Sequence, residues 1–320
     1  MDTESSKYKV LAIVGPTATG KTDLALLLAK KLNGELISVD SRQVYTGLDI
    51  GTGKLPGAKV SVEKHQGYWL MDGVPIYMLD VENPENRFSV SEYVSQAALV
   101  LEDILKRGKL PILVGGTGMY LKGLLEGFDY LHVPSNESLR NELDSLSVKE
   151  LQERLKAISP QTFLAMNNSD KNNPRRLIRR IEVVSTDQPV SSNTTETSKY
   201  NVLKVGLATD REILNERINI RVDHRVDQGM VSEAYELKKQ GLSVQRMHEL
   251  GLEYRYLADV LTGRLSKEEF KKLLKVKIHQ YAKRQMTWFQ EDKSIQWFDI
   301  SDPEFITKVE KTVEDWYNNN

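Results

Sequence analysis

Gly15-Pro16-Thr17-Ala18-Thr19-Gly20-Lys21-Thr22 fits the pattern G-x-x-x-x-G-K-[ST] at every position. Residues of these types at this spacing hold phosphate groups. Glycines let the backbone wrap an anion so that successive N–H groups point inward, and a following helix adds its positive N-terminus. Lys21 supplies a point charge to the phosphate oxygens, and the Thr22 hydroxyl is a ligand for Mg²⁺. The segment is therefore expected to bind a diphosphate or triphosphate. A second chemical group is Asp40, which closes the apolar run Glu35–Asp40 and opens Asp40-Ser41-Arg42-Gln43. Three roles are open to it: holding Mg²⁺ through water, general base, or simply capping a turn. No later apolar run ends in the Asp that an ATP-driven enzyme of this type requires. Leu110–Val114 runs instead into Gly115-Gly116-Thr117-Gly118.

Such residues need elements that bring them to one place. Lys9–Val14 reads as a buried strand, Lys21–Lys31 as a helix stopped by Asn33-Gly34, and Glu35–Asp40 as a second strand. Ser89–Glu92 is a capping box that opens a helix to about Lys106, and Leu110–Val114 is a further buried strand. Strand, helix and strand in alternation predict a mostly parallel sheet. In such a sheet ligands gather at the carboxyl ends of the strands, which puts Gly15, Asp40 and the Gly115–Gly118 turn on one rim. Ser41–Asp80 gives no clear assignment beyond an extended Val74–Leu79. From Gly123 the pattern turns helical, with a second capping box at Ser147–Glu150. Ser185–Lys199, dense in Ser and Thr, reads as a loop. Strands resume at Lys204–Ala208 and Ile295–Phe298, with helices over Asp210–Gly229 and Ser266–Phe289. The expected fold class is α/β, a P-loop core with a mostly parallel sheet (1–122 and 200–320) and a helical insertion (123–199).

The 320 residues are 40% apolar with no cysteine, which excludes disulfides, thiolate catalysis and cysteine-held metal sites. Neither a signal peptide nor a membrane span is expected, and a reducing, cytoplasmic setting is the default. Formal net charge is −1, yet Lys171–Arg180 holds five Lys/Arg and Lys271–Arg284 holds six, both without an acid. These are either solvated helix faces or an RNA-binding surface. Nothing demands more than a monomer. Trp288, Phe289 and Trp297 read as core. Tyr254 and Tyr281 read first as packed aromatics, with base stacking as the alternative.

With these segments placed, the chain resembles the tRNA dimethylallyltransferases (tRNA isopentenyltransferases) nearly end to end. The likeness rests on GPTATGKT at Gly15, DSRQVYTGLDIGTGK at Asp40, FSVSEY at Phe88 and LPILVGGTGMYLKGL at Leu110. It continues through NNPRRLIRRIEV at Asn172, RINIRVD at Arg217 and QYAKRQMTWF at Gln280. The resemblance implies transfer of a dimethylallyl group from dimethylallyl diphosphate to N6 of the adenine at tRNA position 37, with release of diphosphate. On that view Asp40 is the general base, while Lys21, Thr22 with Mg²⁺, and Arg221 stabilise the leaving group. The implied tRNA contacts are Asp40, Ser41, Arg42, Gln43, Thr117, Arg140, Arg175, Arg176, Leu177, Ile178 and Arg179. The second basic stripe adds Lys277, Gln280, Lys283 and Arg284, gripping the anticodon arm.

The chain departs from the family pattern at Gly53, where alanine is common, and at Arg225, where an apolar residue is usual. It departs again at His279, in place of Arg, and at Gly251–Arg255. These departures bear on the tRNA-binding details rather than on the phosphate site. The missing cysteines match members without a C-terminal zinc finger, of bacterial or organellar type. Three other readings remain: an isopentenyltransferase acting on free adenine nucleotides, a P-loop small-molecule kinase, and a nucleotide-switched RNA-binding protein. The first needs neither a long helical insertion nor two acid-free basic stripes, the second calls for an adenine-binding or lid motif that the sequence does not offer, and the last leaves Asp40 without a task.

Overall fold

A computed structural model of the chain describes residues 8–56, 60–128, 133, 136–186 and 199–319. The chain forms two compact units, Met1–Leu125 with Glu196–Asn320, and Glu126–Thr195 between them in sequence. The first unit opens with β1 (Tyr8–Val14), α1 (Lys21–Leu32) and β2 (Gly34–Val39), followed by β3 (Val62–His65), β4 (Tyr68–Met71) and β5 (Val74–Tyr77). Next come α2 (Val90–Lys106), β6 (Leu110–Gly115) and α3 (Gly118–Leu125). The second unit holds α4 (Glu137–Leu143), α5 (Val148–Ile158), α6 (Pro160–Ala165), α7 (Asn168–Lys171) and α8 (Pro174–Val184). The first unit then resumes with β7 (Tyr200–Ala208), α9 (Arg211–Asp227), α10 (Met230–Lys239), α11 (Val244–Leu250) and α12 (Leu252–Leu261). It closes with α13 (Lys267–Gln290), β8 (Ile295–Asp299) and α14 (Phe305–Asn318).

The eight strands lie in the order β3-β4-β5-β2-β6-β1-β7-β8, and only β4 runs against the rest. Buried strands of a parallel sheet need apolar side chains on both faces. In β1, Val10, Ala12 and Val14 join α2, α3, α9 and α13, whereas Leu11 and Ile13 pack with α1 and α14. β1 lies between β6 and β7, so the carboxyl ends of β1, β6 and β2 come side by side. The α2 capping box expected at Ser89 is present, as is the one at Ser147. Tyr93 of α2 stacks on Tyr120 of α3 at 4.0 Å and donates its hydroxyl to the Ser38 carbonyl at 2.8 Å.

The stretch without a sequence assignment contains an antiparallel extension of the sheet. Its register is set by Asp72-Gly73 between β4 and β5, both at positive φ (47° and 77°), the conformation that two-residue hairpins require. β3 escapes apolar patterning because Glu63, Lys64 and His65 sit exposed on an edge. The helices α10–α12 and α14 also lie outside the sequence reading. Of the expected Ser185–Lys199 loop, 187–198 fall outside the described residues. Trp288 is corrected: it is 39% exposed, whereas Phe289 is buried. Helical periodicity turns Trp288 about 100° away from Phe289, to the edge of the packing face set by Ala282, Gln285 and Phe289, which apolar content alone does not reveal.

Candidate active site

β1 is followed by Gly15, where a Cβ would run into the Leu207 carbonyl of β7, so no side chain fits as the chain leaves the sheet. The loop then turns through Ala18 (φ 66°) and Gly20 (φ 86°) into α1, whose first turn has no side-chain cap. Uncapped N–H groups at a helix start are anion donors. Internal bonds hold the loop's shape: Thr19 Oγ1 donates to the Pro16 carbonyl at 3.0 Å, and Lys21 Nζ to the same oxygen at 2.6 Å. From α9, Arg217 Nε donates to the Ala18 carbonyl at 2.8 Å, and Arg221 reaches Thr17 Oγ1 at 3.4 Å.

The loop forms one side of a cavity of about 550 Å³ at the carboxyl edge of the sheet. Thr17, Lys21, Thr22, Asp23, Asp40, Arg42, Gln43, Gly116 and Tyr281 all line it. Cationic side chains on the wall are Lys21, Arg42, Lys54, Arg217, Arg221 and Arg225, against Asp23, Asp40 and Glu253. Lys54 is already neutralised by Asp80 at 2.5 Å and Asp49 at 3.1 Å, which leaves five cations facing three anions. Burial comes first, and crowding of like charge second, in destabilising these cations. Burial, then Arg221, lowers the Lys21 pKa to about 7 against the pull of Asp40. Burial and Arg225 likewise lower Arg221 to about 10. Such a wall favours a polyanion, which relieves the repulsion.

Asp40 accepts the Arg42 N–H at 2.8 Å on Oδ1, so it caps its turn while also lining the cavity. The two roles coexist on one carboxylate. Beside it, Thr117 Oγ1 accepts the Ser41 N–H at 3.1 Å, and Gln43 Oε1 accepts the Ser38 hydroxyl at 2.8 Å. Arg42 Nη1 is buried without a hydrogen-bond partner. Across the cavity the 49–51 loop hangs on Glu233 of α10. Its carboxylate accepts the N–H groups of Asp49, Ile50 and Gly51 at 3.0, 2.6 and 2.9 Å and the Tyr254 hydroxyl at 2.6 Å. Tyr254 is thus a packed core aromatic, while Tyr281 is half-buried on the cavity wall.

Three departures noted in the sequence meet here. Gly53 sits at φ +69°, and a Cβ on it would overlap the guanidinium groups of Arg221 and Arg225. Arg225 in turn pairs with Glu253 of α12 at 3.4 Å. The small residue at 53 and the extra buried ion pair are therefore one packing solution. Sequence reasoning did not single out Arg217, Arg225, Glu253 or Gln285 as site residues. Arg217, Arg221 and Arg225 recur every fourth residue, a helical stripe that periodicity could have found. Gln285 carries no such signal.

On α13, Lys277, Gln280 and Arg284 share one face with Tyr281, over whose ring Arg284 lies at 5.8 Å; Lys283 is exposed on another. Lys271 and Lys275 of the same acid-free run both pair with Asp223 of α9, at 3.1 and 2.7 Å, so one of their two charges is balanced. In the second unit Arg175 and Arg176 are exposed on α8, with Arg176 paired to Asp170. Arg140 and Arg179 converge instead on buried Glu182, at 2.7 and 3.2 Å. Leu177 and Ile178 are corrected: both are buried in the apolar core of this unit, so their side chains are not available to RNA. The NNPRRLIRRIEV segment alternates arginines on one face with core residues on the other.

Fold and cavity together define a P-loop α/β protein with a cationic site at the switch between β1 and β6. A sequence profile described as IPP transferase matches residues 43–292. A tRNA dimethylallyltransferase of Halalkalibacterium halodurans is 39% identical over 314 residues, covering 95% of each chain. One from Anoxybacillus flavithermus is 41% identical over 299 residues, covering 92% of this chain and 91% of its own. The solved full-length tRNA isopentenylpyrophosphate transferase of Bacillus halodurans superposes with a TM-score of 0.68, at 36% identity and 97% coverage of both chains. This chain belongs to the IPP transferase family.

Proposed function

We propose that the protein is a tRNA dimethylallyltransferase, transferring the dimethylallyl group of dimethylallyl diphosphate to N6 of the adenine at tRNA position 37. The observation that carries this reading is the single cavity in which the phosphate loop, Arg221 and Asp40 meet. The adenine amine is a weak nucleophile because its lone pair is delocalised into the ring. Asp40 accepts the N6 proton as the N6–C1 bond forms. The bond from C1 to the diphosphate oxygen breaks, and the growing negative charge meets Lys21, Arg221 and the N–H groups at the start of α1. Thr17 and Arg217 keep the loop and α9 in register, so those charges are in place before the bond breaks.

Mg²⁺ suits the donor set. Thr22, Asp23 and Asp40 offer hard oxygens to the cavity. An ion there would be held by Thr22 and would supply charge neutralisation to the leaving group. The acceptor enters as an unstacked base, for which Ser41, Gln43 and Thr117 form the reading edge, with Arg42 beside it. Arg175, Arg176, Lys277, Gln280, Lys283 and Arg284 supply backbone contacts to the anticodon arm. Arg140 and Arg179 contribute from their pairs with Glu182. Among the described residues no helix is long and apolar enough to cross a membrane. The reading extends to a monomer acting in the cytoplasm.

Labelled dimethylallyl diphosphate offered with unmodified tRNA, AMP or ATP tests the reading. Label is expected in tRNA alone, at the adenine next to the anticodon. Label in AMP with none in tRNA, or ATP consumption without prenyl transfer, overturns it.

A further inference from the structure

Gln285 of α13 is 6% exposed and sits between the two turns that bound the cavity. Its Oε1 accepts the Thr17 N–H at 2.9 Å, and its Nε2 donates to the Gly116 carbonyl at 2.9 Å. Thr17 belongs to the phosphate loop after β1. Gly116 belongs to the turn after β6, one residue before the Thr117 hydroxyl that holds Ser41 beside Asp40. One side chain from a distant helix thus ties the diphosphate side of the cavity to the acceptor side.

The chemistry of this tie is restrictive. A backbone N–H only donates and a carbonyl only accepts, so the bridging group must offer one acceptor and one donor. A carboxamide does so. A carboxylate has no donor, and an ammonium or guanidinium has no acceptor. The same requirement fixes which amide atom faces which turn. Because Gln285 is buried, either unmet bond would leave a buried backbone group unpaired.

We propose that Gln285 is a positioning residue for prenyl transfer, setting the spacing between the phosphate loop and the rim that carries Asp40 and Thr117. The inference rests on the reading of Gly15–Thr22 as the diphosphate cradle. Gln285 itself takes no part in bond making. Its loss lets the loop and the turn drift, which weakens diphosphate binding and misplaces the base relative to C1.

The test uses the full chain with Q285M and Q285E, inorganic pyrophosphate with Mg²⁺ as the probe in calorimetry, and steady-state transfer. Removing both bonds with Q285M is expected to raise the pyrophosphate Kd and the KM for donor about tenfold. Q285E keeps the Thr17 bond but sets a carboxylate against the Gly116 carbonyl and against the anion, so its defect is larger near pH 8. Protonation converts the introduced carboxyl into one donor and one acceptor, the pattern Gln285 provides. Its Kd relative to wild type should therefore improve from about pH 8 to about pH 5.5. The other titratable or charged groups lining this cavity are Lys21 and Asp23 from α1, Asp40, Arg42 and Lys54 from the loops after β2, Arg217, Arg221, His224 and Arg225 from α9, Glu253 from α12 and Tyr281 from α13. All are common to both proteins, so the ratio isolates position 285. Binding and KM within about twofold of wild type in both variants overturn the inference. So does a lowered Tm with a Q285E-to-wild-type Kd ratio that does not change with pH. If wild type fails to bind pyrophosphate, the cradle reading falls, and this inference with it.

Discussion

At the scale of single residues, the cavity places opposite demands on Lys21 and Asp40. Lys21 stabilises a bound anion but strains the free protein. Its folded pKa of about 7 lies below the ordinary 10.5, so the folded state carries a disfavoured charge at every pH below 7. The penalty fades as pH rises from 7 to 10.5, above which folded and unfolded states are both neutral. Lys21→Met should therefore raise Tm at pH 6.5, with a smaller gain at pH 10, while abolishing pyrophosphate binding; thermal scans and calorimetry check both. An unchanged or lower Tm at pH 6.5 would contradict the buried-charge account. Asp40→Asn keeps the acceptor for the Arg42 N–H but cannot take a proton. Transfer is expected to fall at least about a hundredfold with tRNA affinity within about threefold. Normal turnover in Asp40→Asn would rule out Asp40 as the base.

At the scale of elements, α13 and α9 do most of the positioning. α13 turns Gln285 and Tyr281 toward the cavity and carries Lys277, Gln280 and Arg284 along an adjacent stripe. α9 sends Arg217 and Arg221 to the phosphate loop, and its Asp223 is shared by Lys271 and Lys275, balancing one of their two charges. Replacing Lys277 and Arg284 by Ala should weaken tRNA binding and reduce the slope of log K against log salt by about 1 to 2. Pyrophosphate affinity should stay unchanged. The corresponding change at Lys271 and Lys275 should lower the salt slope less, since Asp223 already balances one of their two charges. Filter-binding titrations over a range of salt distinguish the two pairs.

At the scale of the whole molecule, each unit has its own source of stability. The Glu126–Thr195 unit packs a small apolar core around Leu143, Leu151, Leu155, Leu177, Ile178 and Ile181. It is pinned by Glu182, which is 4% exposed and accepts from Arg140 at 2.7 Å, Arg179 at 3.2 Å and the Asn136 N–H at 2.9 Å. Burial pushes the Glu182 carboxyl up, but Arg140, the Asn136 N–H and Arg179 outweigh it and hold the pKa below the usual 4.5. A depressed carboxylate pKa gives stability that is complete above 4.5 and lost as pH falls through the folded value. Glu182→Ala strands two arginines beside an apolar core. It should open this unit to limited proteolysis at neutral pH, at a cost of roughly 3 kcal/mol. Pyrophosphate binding, which draws only on the first unit, should persist. Loss of that binding together with the insertion would show that the two units fold as one.

Much of the phosphate side was legible because its determinants are local. Gly15–Thr22 encodes its own turn, and the capping boxes at Ser89 and Ser147 announce their helices through residues three apart. The apolar runs of β1, β2 and β6 specify a parallel sheet, and sheet geometry alone then brings Gly15, Asp40 and Thr117 to one edge. Periodicity did not separate the roles of arginines in Arg175–Arg179, since Arg176 and Arg179 look alike until Glu182 is folded beneath one of them. Nor did it reveal that Gly53, Arg225 and Glu253 share one space, or that Gln285 bridges two turns 268 and 169 residues away. The sequence by itself thus determined the phosphate loop, the sheet and the family to which they belong. Only the tertiary structure decided which charges face the cavity and which are spent on one another, because pairing between distant residues depends on packing rather than on spacing along the chain.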